Sequence, residues 1–359
     1  MSSKPKILFW INTNFLHFSL AYYMQSKIDA DVFAVVDTNT KPKIFFENQE
    51  LVNFKKLWFY HDYIKKNSKK NDLEYLENFE NKSHINLWKL CLNERYFYEH
   101  NRFYKFKKFE ILSILEQELK LFETILDKIK PDFFLTFNPV LHHQKLLLEI
   151  CKSKGIKVLN SCRTGVGDQT VLVEDGATFD LDLNKKIDEY SNYLPNKKIE
   201  HNDYDSDQKV WIEKRTIKFS DKLIGLKDYL LDSDSVLINS NFMYYGRTKF
   251  KVIKDTLKLE YRKRRNYNFL NNVSDLSPNL EIPYVYFPLN INEEASLLYY
   301  APYFTNQIEV IRHIAKSIPI DHLLYVKEHV AAGLRSWNEV KYYKEIMELP
   351  NVKLIHPKF

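Results

Sequence analysis

Glycine is scarce in this chain: seven of 359 residues, roughly 2% where about 7% is ordinary. The scarcity excludes several kinds of phosphate site. No Gly-Lys-Ser/Thr occurs, so there is no Walker A loop. Gly165-Val166-Gly167 is followed by Thr170 where a dinucleotide fingerprint has its third glycine. Collagen-like, glycine-linker and propeller readings fail on the same count. Glycine serves where the backbone takes φ > 0 or a ligand must touch it. Gly165, Gly167 and Gly176 therefore single out residues 165–176 as a place to look for a site.

Cysteine is also rare. Cys91, Cys151 and Cys162 are odd in number and lack Cys-Xaa-Xaa-Cys spacing. That argues against a disulfide framework or a zinc site and suits a reducing cytoplasm. Long apolar runs are missing too. Residues 7–11 are apolar, but Asn12 and Asn14 interrupt well short of the roughly 18 residues a spanning helix needs. Any membrane contact is expected to be peripheral.

Aromatic side chains are abundant, with 24 Tyr and 25 Phe, and hydrophobic residues make up 45% of the chain. Such a chain can bury a large core, and its length suggests about two domains. The net charge of +6 is uneven. Residues 247–265 hold nine Lys/Arg against Asp255 and Glu260, a local +7 that leaves the remainder at −1.

Hydrophobic patterning predicts alternating strands and helices. Lys6–Ile11 reads as a buried strand, 15–27 as a helix and 30–36 as a second strand. Residues 40–80 read as irregular. Residues 86–129 read as two helices, with apolar periodicity at Ile111, Ile114, Leu115, Leu119, Phe122, Ile125 and Leu126. A strand over 133–137, a helix over 140–154 capped by Gly155 and a strand over 156–160 come next. Strand–helix–strand alternation implies a parallel sheet. The polar stretch 185–235 is the best boundary. Beyond it lie a basic helix over 240–270, strands over 284–289, 322–327 and 352–355, and helices over 305–318 and 336–347. The domains expected are therefore 1–200, a polar and basic connector 201–275, and 276–359. With three strands, the last falls short of the five or six of a doubly wound domain. It is expected to be truncated.

Ligands of open α/β sheets bind beyond the carboxyl ends of the strands, so the residues just past each strand are the site candidates. Lys327, Glu328, His329, Gly333 and Arg335 could cradle a phosphate, or form a surface turn. After Asn290, Glu293 and Glu294 could act as acid or base, bind a sugar hydroxyl, or start a helix. Arg163 and Thr164 in the glycine loop suit an anion, and Glu174 or Asp175 could be a general base if partly desolvated. Glu174-Asp175-Gly176 reads equally as a hairpin turn. His17 is a candidate base or sugar ligand, or a structural cap or core histidine. His142-His143 show no neighbouring carboxylate or thiolate at metal-ligand spacing, so no metal is expected. The basic segment is interleaved with aromatics (Phe250, Tyr261). It could bind nucleic acid, lie on an anionic membrane surface, or be a solvated interdomain helix.

Several stretches carry a family resemblance. They are Tyr284-Val-Tyr-Phe-Pro-Leu-Asn-Ile-Asn-Glu-Glu294, Pro302-Tyr-Phe-Thr-Asn-Gln307, Leu324-Tyr-Val-Lys-Glu-His329, Gly333-Leu-Arg335 and Pro350-Asn-Val-Lys-Leu-Ile-His-Pro357. Asn93-Glu-Arg-Tyr-Phe97 and Lys130-Pro-Asp132 extend them to the N-terminal half. Together they resemble the bacterial capsular-polysaccharide biosynthesis proteins, GT-B-like glycosyltransferases that include Kdo transferases. The resemblance implies two Rossmann-like domains, with a nucleotide-activated sugar, CMP-linked acidic sugars included, held mainly by the C-terminal one. It implies a glycan or lipid-linked acceptor and no cofactor beyond the donor. The protein would work in the cytoplasm, at the inner face of the membrane through residues 247–265, and not on nucleic acid. In that family and the similar sialyltransferases a His-Pro dyad contacts the nucleotide, whereas here His329 is followed by Val330. Glu174-Asp175-Gly176 matches in type their acidic-acidic-glycine motif, whose acid is the base. A Gly- and Ser/Thr-rich donor loop would lie beyond Phe359. A nucleotide-sugar epimerase and a non-catalytic capsule-assembly protein are the competing expectations.

Overall fold

The structure, a computed structural model, describes residues 4–38, 41–66, 70–98, 100–163, 170–174, 219–231, 241–334 and 337–359. It divides into two compact units, Met1–Glu200 with Asp234–Gly246, and His201–Ser233 with Arg247–Phe359. The residues expected to form a connector are shared between the units. Asp234–Gly246 belongs to the first, and the basic helix Lys249–Val273 to the second.

The first unit is built on a six-stranded sheet of order β3-β2-β1-β4-β5-β6. Its strands are β1 (Lys6–Ile11), β2 (Asp31–Val36), β3 (Lys56–Phe59), β4 (Phe133–Phe137), β5 (Lys157–Arg163) and β6 (Thr170–Val173). All neighbours run parallel except β6, which pairs antiparallel with β5 at the edge. β3 lies in the stretch the sequence pattern leaves irregular. Its four residues, Lys-Leu-Trp-Phe, are too few to show alternation.

β1 is apolar at nearly every position because it is covered on both faces. Ile7, Phe9 and Ile11 join one cluster with Phe18, Ala34, Val36 and Phe46. Leu8 and Trp10 join the other with Val35, Phe134, Leu115, Phe122 and Leu147. The first face is covered by α1 (Leu16–Gln25) and α2 (Lys41–Asn48), the second by α3 (Lys108–Ile129) and α4 (His142–Ser153). Burying one such large apolar side chain contributes about 1.5–3 kcal/mol, so this two-faced core dominates the unit's stability. Helix ends follow local chemistry. The Glu110 carboxylate accepts from Lys107 N at 2.8 Å at the start of α3, and Lys130 at φ 51°, followed by Pro131, ends it. Gly155, at φ 71°, turns the chain after α4.

The second unit carries a three-stranded parallel sheet, β7 (Tyr284–Pro288), β8 (Leu323–Lys327) and β9 (Val352–Ile355), in that order. Leu289, Leu324, Val326 and Leu354 pack with Ile311, Tyr343, Ile346 and Leu270 in one cluster. The helices Gln307–Ser317 and Val340–Met347 and the end of Lys249–Val273 supply those last four. Tyr284 and Tyr286 on the edge strand stay exposed. Among the described residues no helix is long and apolar enough to cross a membrane.

Candidate functional site

Strand order in the first sheet reverses between β1 and β4, and crevices at such points admit ligands beyond the carboxyl ends. His17 stands at this edge. Its Nδ1 lies 2.8 Å from Trp10 O and its Nε2 2.9 Å from Ser161 Oγ. Ser161 Oγ also reaches Thr136 O at 3.3 Å. The ring thus ties β1, β4 and β5 together and stacks on Phe137 at 5.6 Å. Burial lowers its pKa, which keeps the imidazole neutral. Both nitrogens are engaged by the protein, so the geometry is that of a clasp. Direct attack on a substrate proton would have to pass through Ser161.

Beside it lies a cluster the sequence pattern does not reveal. Asp37, directly after β2, holds two histidines: His143 Nε2 at 3.2 Å on Oδ2 and His61 Nε2 at 3.0 Å on Oδ1. Gln144 Nε2 donates to the same Oδ2 at 3.3 Å. Burial would raise the Asp37 carboxyl, but His143 and His61 outweigh it and hold the pKa well below the usual range. His142 turns the other way, with Nε2 at 3.0 Å from Glu118 Oε1 and Nδ1 at 3.3 Å from Glu94 Oε2. Burial lowers its pKa, yet Glu118 and Glu94 prevail and push it up to about 10. Tyr60 donates its hydroxyl to Glu118 Oε1 and stacks on His143 at 4.6 Å. Carboxylates therefore do stand beside His142-His143. They come from α3, from Glu94 after the helix Leu87–Leu92, and from the end of β2, at sequence distances no local motif displays. One signal was available: Glu118 occupies the apolar face that Ile111, Leu115, Phe122 and Ile125 define.

Glu174 leaves β6 in an exposed position. Its side chain is 60% accessible and pairs with Lys157 at 3.3 Å. This corrects the expectation of a desolvated base, because an edge strand leaves the carboxylate in water. Arg163 ends β5; its side chain, and Thr164, Asp175 and Arg335, lie outside the described residues, as do Gly165, Gly167 and Gly176.

In the second unit the candidates separate by role. Glu328 is buried at the end of β8. Its Oε2 accepts from Tyr343 Oη at 2.6 Å and Asn338 Nδ2 at 2.8 Å, and its Oε1 from His329 N at 2.8 Å. Burial raises its pKa. It holds the following loop from inside and does not face a ligand. Gly333 has a packing reason of its own: an added Cβ would stand 2.5 Å from the Trp337 indole. Lys327 and His329 are half-buried, with Lys327 Nζ donating to Phe359 O at 2.7 Å. His329 Nδ1 accepts from Ala331 N at 3.1 Å, which leaves Nε2 to carry the proton of the neutral ring as a directed donor. After β7, Gln307 fixes the loop, with Asn290 N donating to its Oε1 and its Nε2 donating to Asn290 O, both at 2.8 Å. Glu294 is the N-cap of the short helix Ala295–Leu298, with Glu293 just before it. The helix-start reading of this pair is the one the backbone follows.

Compared with known proteins, the chain matches no family model, no curated protein and no solved structure.

Proposed function

We propose that the protein is a glycosyltransferase of surface-polysaccharide biosynthesis with a GT-B-like two-domain build, using a nucleotide-activated sugar. The observation that carries this reading is the carboxyl edge of the second sheet. Lys327 and His329 come at the end of β8 and the Gln307-braced loop Asn290–Glu294 at the end of the adjacent β7, all on parallel strands. A cation and a directed imidazole N–H suit a diphosphate or phosphodiester, whose charge grows as the nucleotide leaves. Asn290, in that braced loop, supplies a side-chain amide of the kind that holds a sugar hydroxyl; the helix start at Glu293 and Glu294 follows it.

Acceptor chemistry belongs, in this reading, to the first unit. There the neutral His17 can draw a proton through Ser161. The release of CMP or UDP from the corresponding sugar nucleotides, with a glycan or glycolipid acceptor present, tests the function. The K327A/H329A variant should lose tenfold or more in kcat/KM, the order expected for removing a hydrogen bond to a charged group, about 1.5–3 kcal/mol. Turnover unchanged in that variant would refute the donor site. Epimer formation without acceptor would replace transfer by epimerisation.

The basic helix fits delivery to a lipid-linked acceptor. On Lys249–Val273, Phe250, Leu257 and Tyr261 are 75%, 67% and 67% exposed along one face, with Lys254 and Lys258 beside them. Such a face lies on anionic headgroups, with apolar groups inserted and basic ones at phosphates. K258Q should weaken binding to phosphatidylserine vesicles by about 1 kcal/mol, measured by co-sedimentation, with neutral vesicles as reference.

A further inference from the structure

Independently of sugar transfer, we propose that Glu118, His142 and His143 form a closed site for a divalent transition-metal ion of the zinc class. A ring nitrogen of each histidine and a carboxylate oxygen of Glu118 lie within 4.8 Å of one another, and all three side chains are fully buried.

The hydrogen bonding around them leaves buried atoms without partners among the described residues. When the neutral His143 ring places its proton on Nε2, toward the Asp37 carboxylate, its lone pair is on Nδ1. That Nδ1 is buried and, among the described residues, meets no hydrogen-bond donor. Glu118 Oε2 is buried in the same condition, while Oε1 takes the Tyr60 hydroxyl. Buried acceptors left without donors are costly. A cation bound by both removes that cost.

Each histidine also has a carboxylate near its other nitrogen, hydrogen-bonded for His143 and an ion-pair neighbour without a hydrogen bond for His142. Asp37 sits on His143 Nε2 at 3.2 Å, and Glu94 lies 3.3 Å from His142 Nδ1. Carboxylates placed behind imidazoles in this way fix the tautomer and orient the ring as a metal ligand. With its proton on Nδ1 toward Glu94, His142 offers Nε2 beside Glu118 Oε1, 3.0 Å away. Binding exchanges the Nε2 proton for the ion, and the proton leaves to solvent. No redox step is involved.

Two imidazole nitrogens and one carboxylate oxygen favour Zn²⁺, Co²⁺ or Fe²⁺ over Mg²⁺ or Ca²⁺, which prefer all-oxygen sites. Phe97 and Phe242 border the His142 ring, and Trp10 and Tyr60 border His143. The ion would therefore be structural. It would pin α3 to α4 and, through Asp37 and Tyr60, to the ends of β2 and β3.

The full chain, free of any affinity tag and produced in medium containing Zn²⁺ or Co²⁺, should retain a single tightly held ion after dialysis, by elemental mass spectrometry. The Co²⁺ form should show a visible ligand-field band. H142Q/H143Q should fall to background. D37N, which keeps all three ligands, should bind Zn²⁺ about 10–100-fold more weakly in chelator competition. No retained metal, as expected if a water fills the gap, overturns the proposal; so does retention unchanged in H142Q/H143Q. If that double variant does not fold, unchanged Zn²⁺ affinity in D37N overturns it.

Discussion

The carboxyl edges of the two sheets handle charge in opposite ways. In the first unit Asp37, Glu94, Glu118, His61, His142 and His143 are drawn together under aromatic cover and pair with one another, while Glu94 Oε2, Glu118 Oε2 and the Nδ1 atoms of His142 and His143 make no hydrogen bond among the described residues. In the second, one buried carboxylate, Glu328, braces a loop from beneath, and the groups above it, Lys327 and His329, remain half-buried. A dry, interlocked cluster is built for rigidity or for an enclosed ion. A supported but accessible edge is built for a ligand that arrives and leaves. The chemically richest cluster and the site proposed for the substrate are thus different places.

Breaking the dry cluster should have the largest effect. E118A leaves the His142 imidazolium with one carboxylate fewer in a buried setting and should cost the first unit about 3–5 kcal/mol. Hydrogen exchange should quicken across α3 and α4 while 284–359 keeps its protection. A uniform change across both units would mean that the cluster is not local to the first. G333A tests the second edge. The added methyl meets the Trp337 ring and should cost about 1–3 kcal/mol through overpacking, confined to the second unit. A neutral result in urea unfolding would return Gly333 to the role of ligand-approach residue.

The smallest effect is a pH dependence. Burial lowers the pKa of His356 below its ordinary 6.5, so the folded state takes up its proton less readily than the unfolded. The stability this gives the second unit is intact above pH 6.5 and is lost as pH falls below it. Glu328, raised by burial, acts in the opposite sense, so the informative quantity is the difference between wild type and H356N. That difference should grow as pH falls from 7 toward 5. A flat difference would show His356 to be solvated.

Much of the fold was legible because burial on both faces writes itself as apolar runs. β1, β2, β4 and the period of α3 all show this. β3 and β6 were not legible, being four-residue edge strands without a full alternation. For the site, the positions just past the strands' carboxyl ends include Lys327, His329 and Asn290, because sheet topology fixes where chemistry gathers. The same rule applies to Asp37, but the partners that give it meaning are remote in sequence: His61 comes after an unrecognised strand, and His143 lies 106 residues on. Glu328 and Gly333 illustrate the converse. Their residue types suit a ligand, and only the positions of Tyr343 and Trp337 show that each is spent on packing.

Hydrogen exchange of the full chain with saturating CMP or UDP tests the functional assignment most directly. Added protection is expected at 289–294 and 327–334, lost in K327A/H329A, with none at the Glu118–His142–His143 cluster. Protection at that cluster, or no protection in either unit, would contradict the assignment.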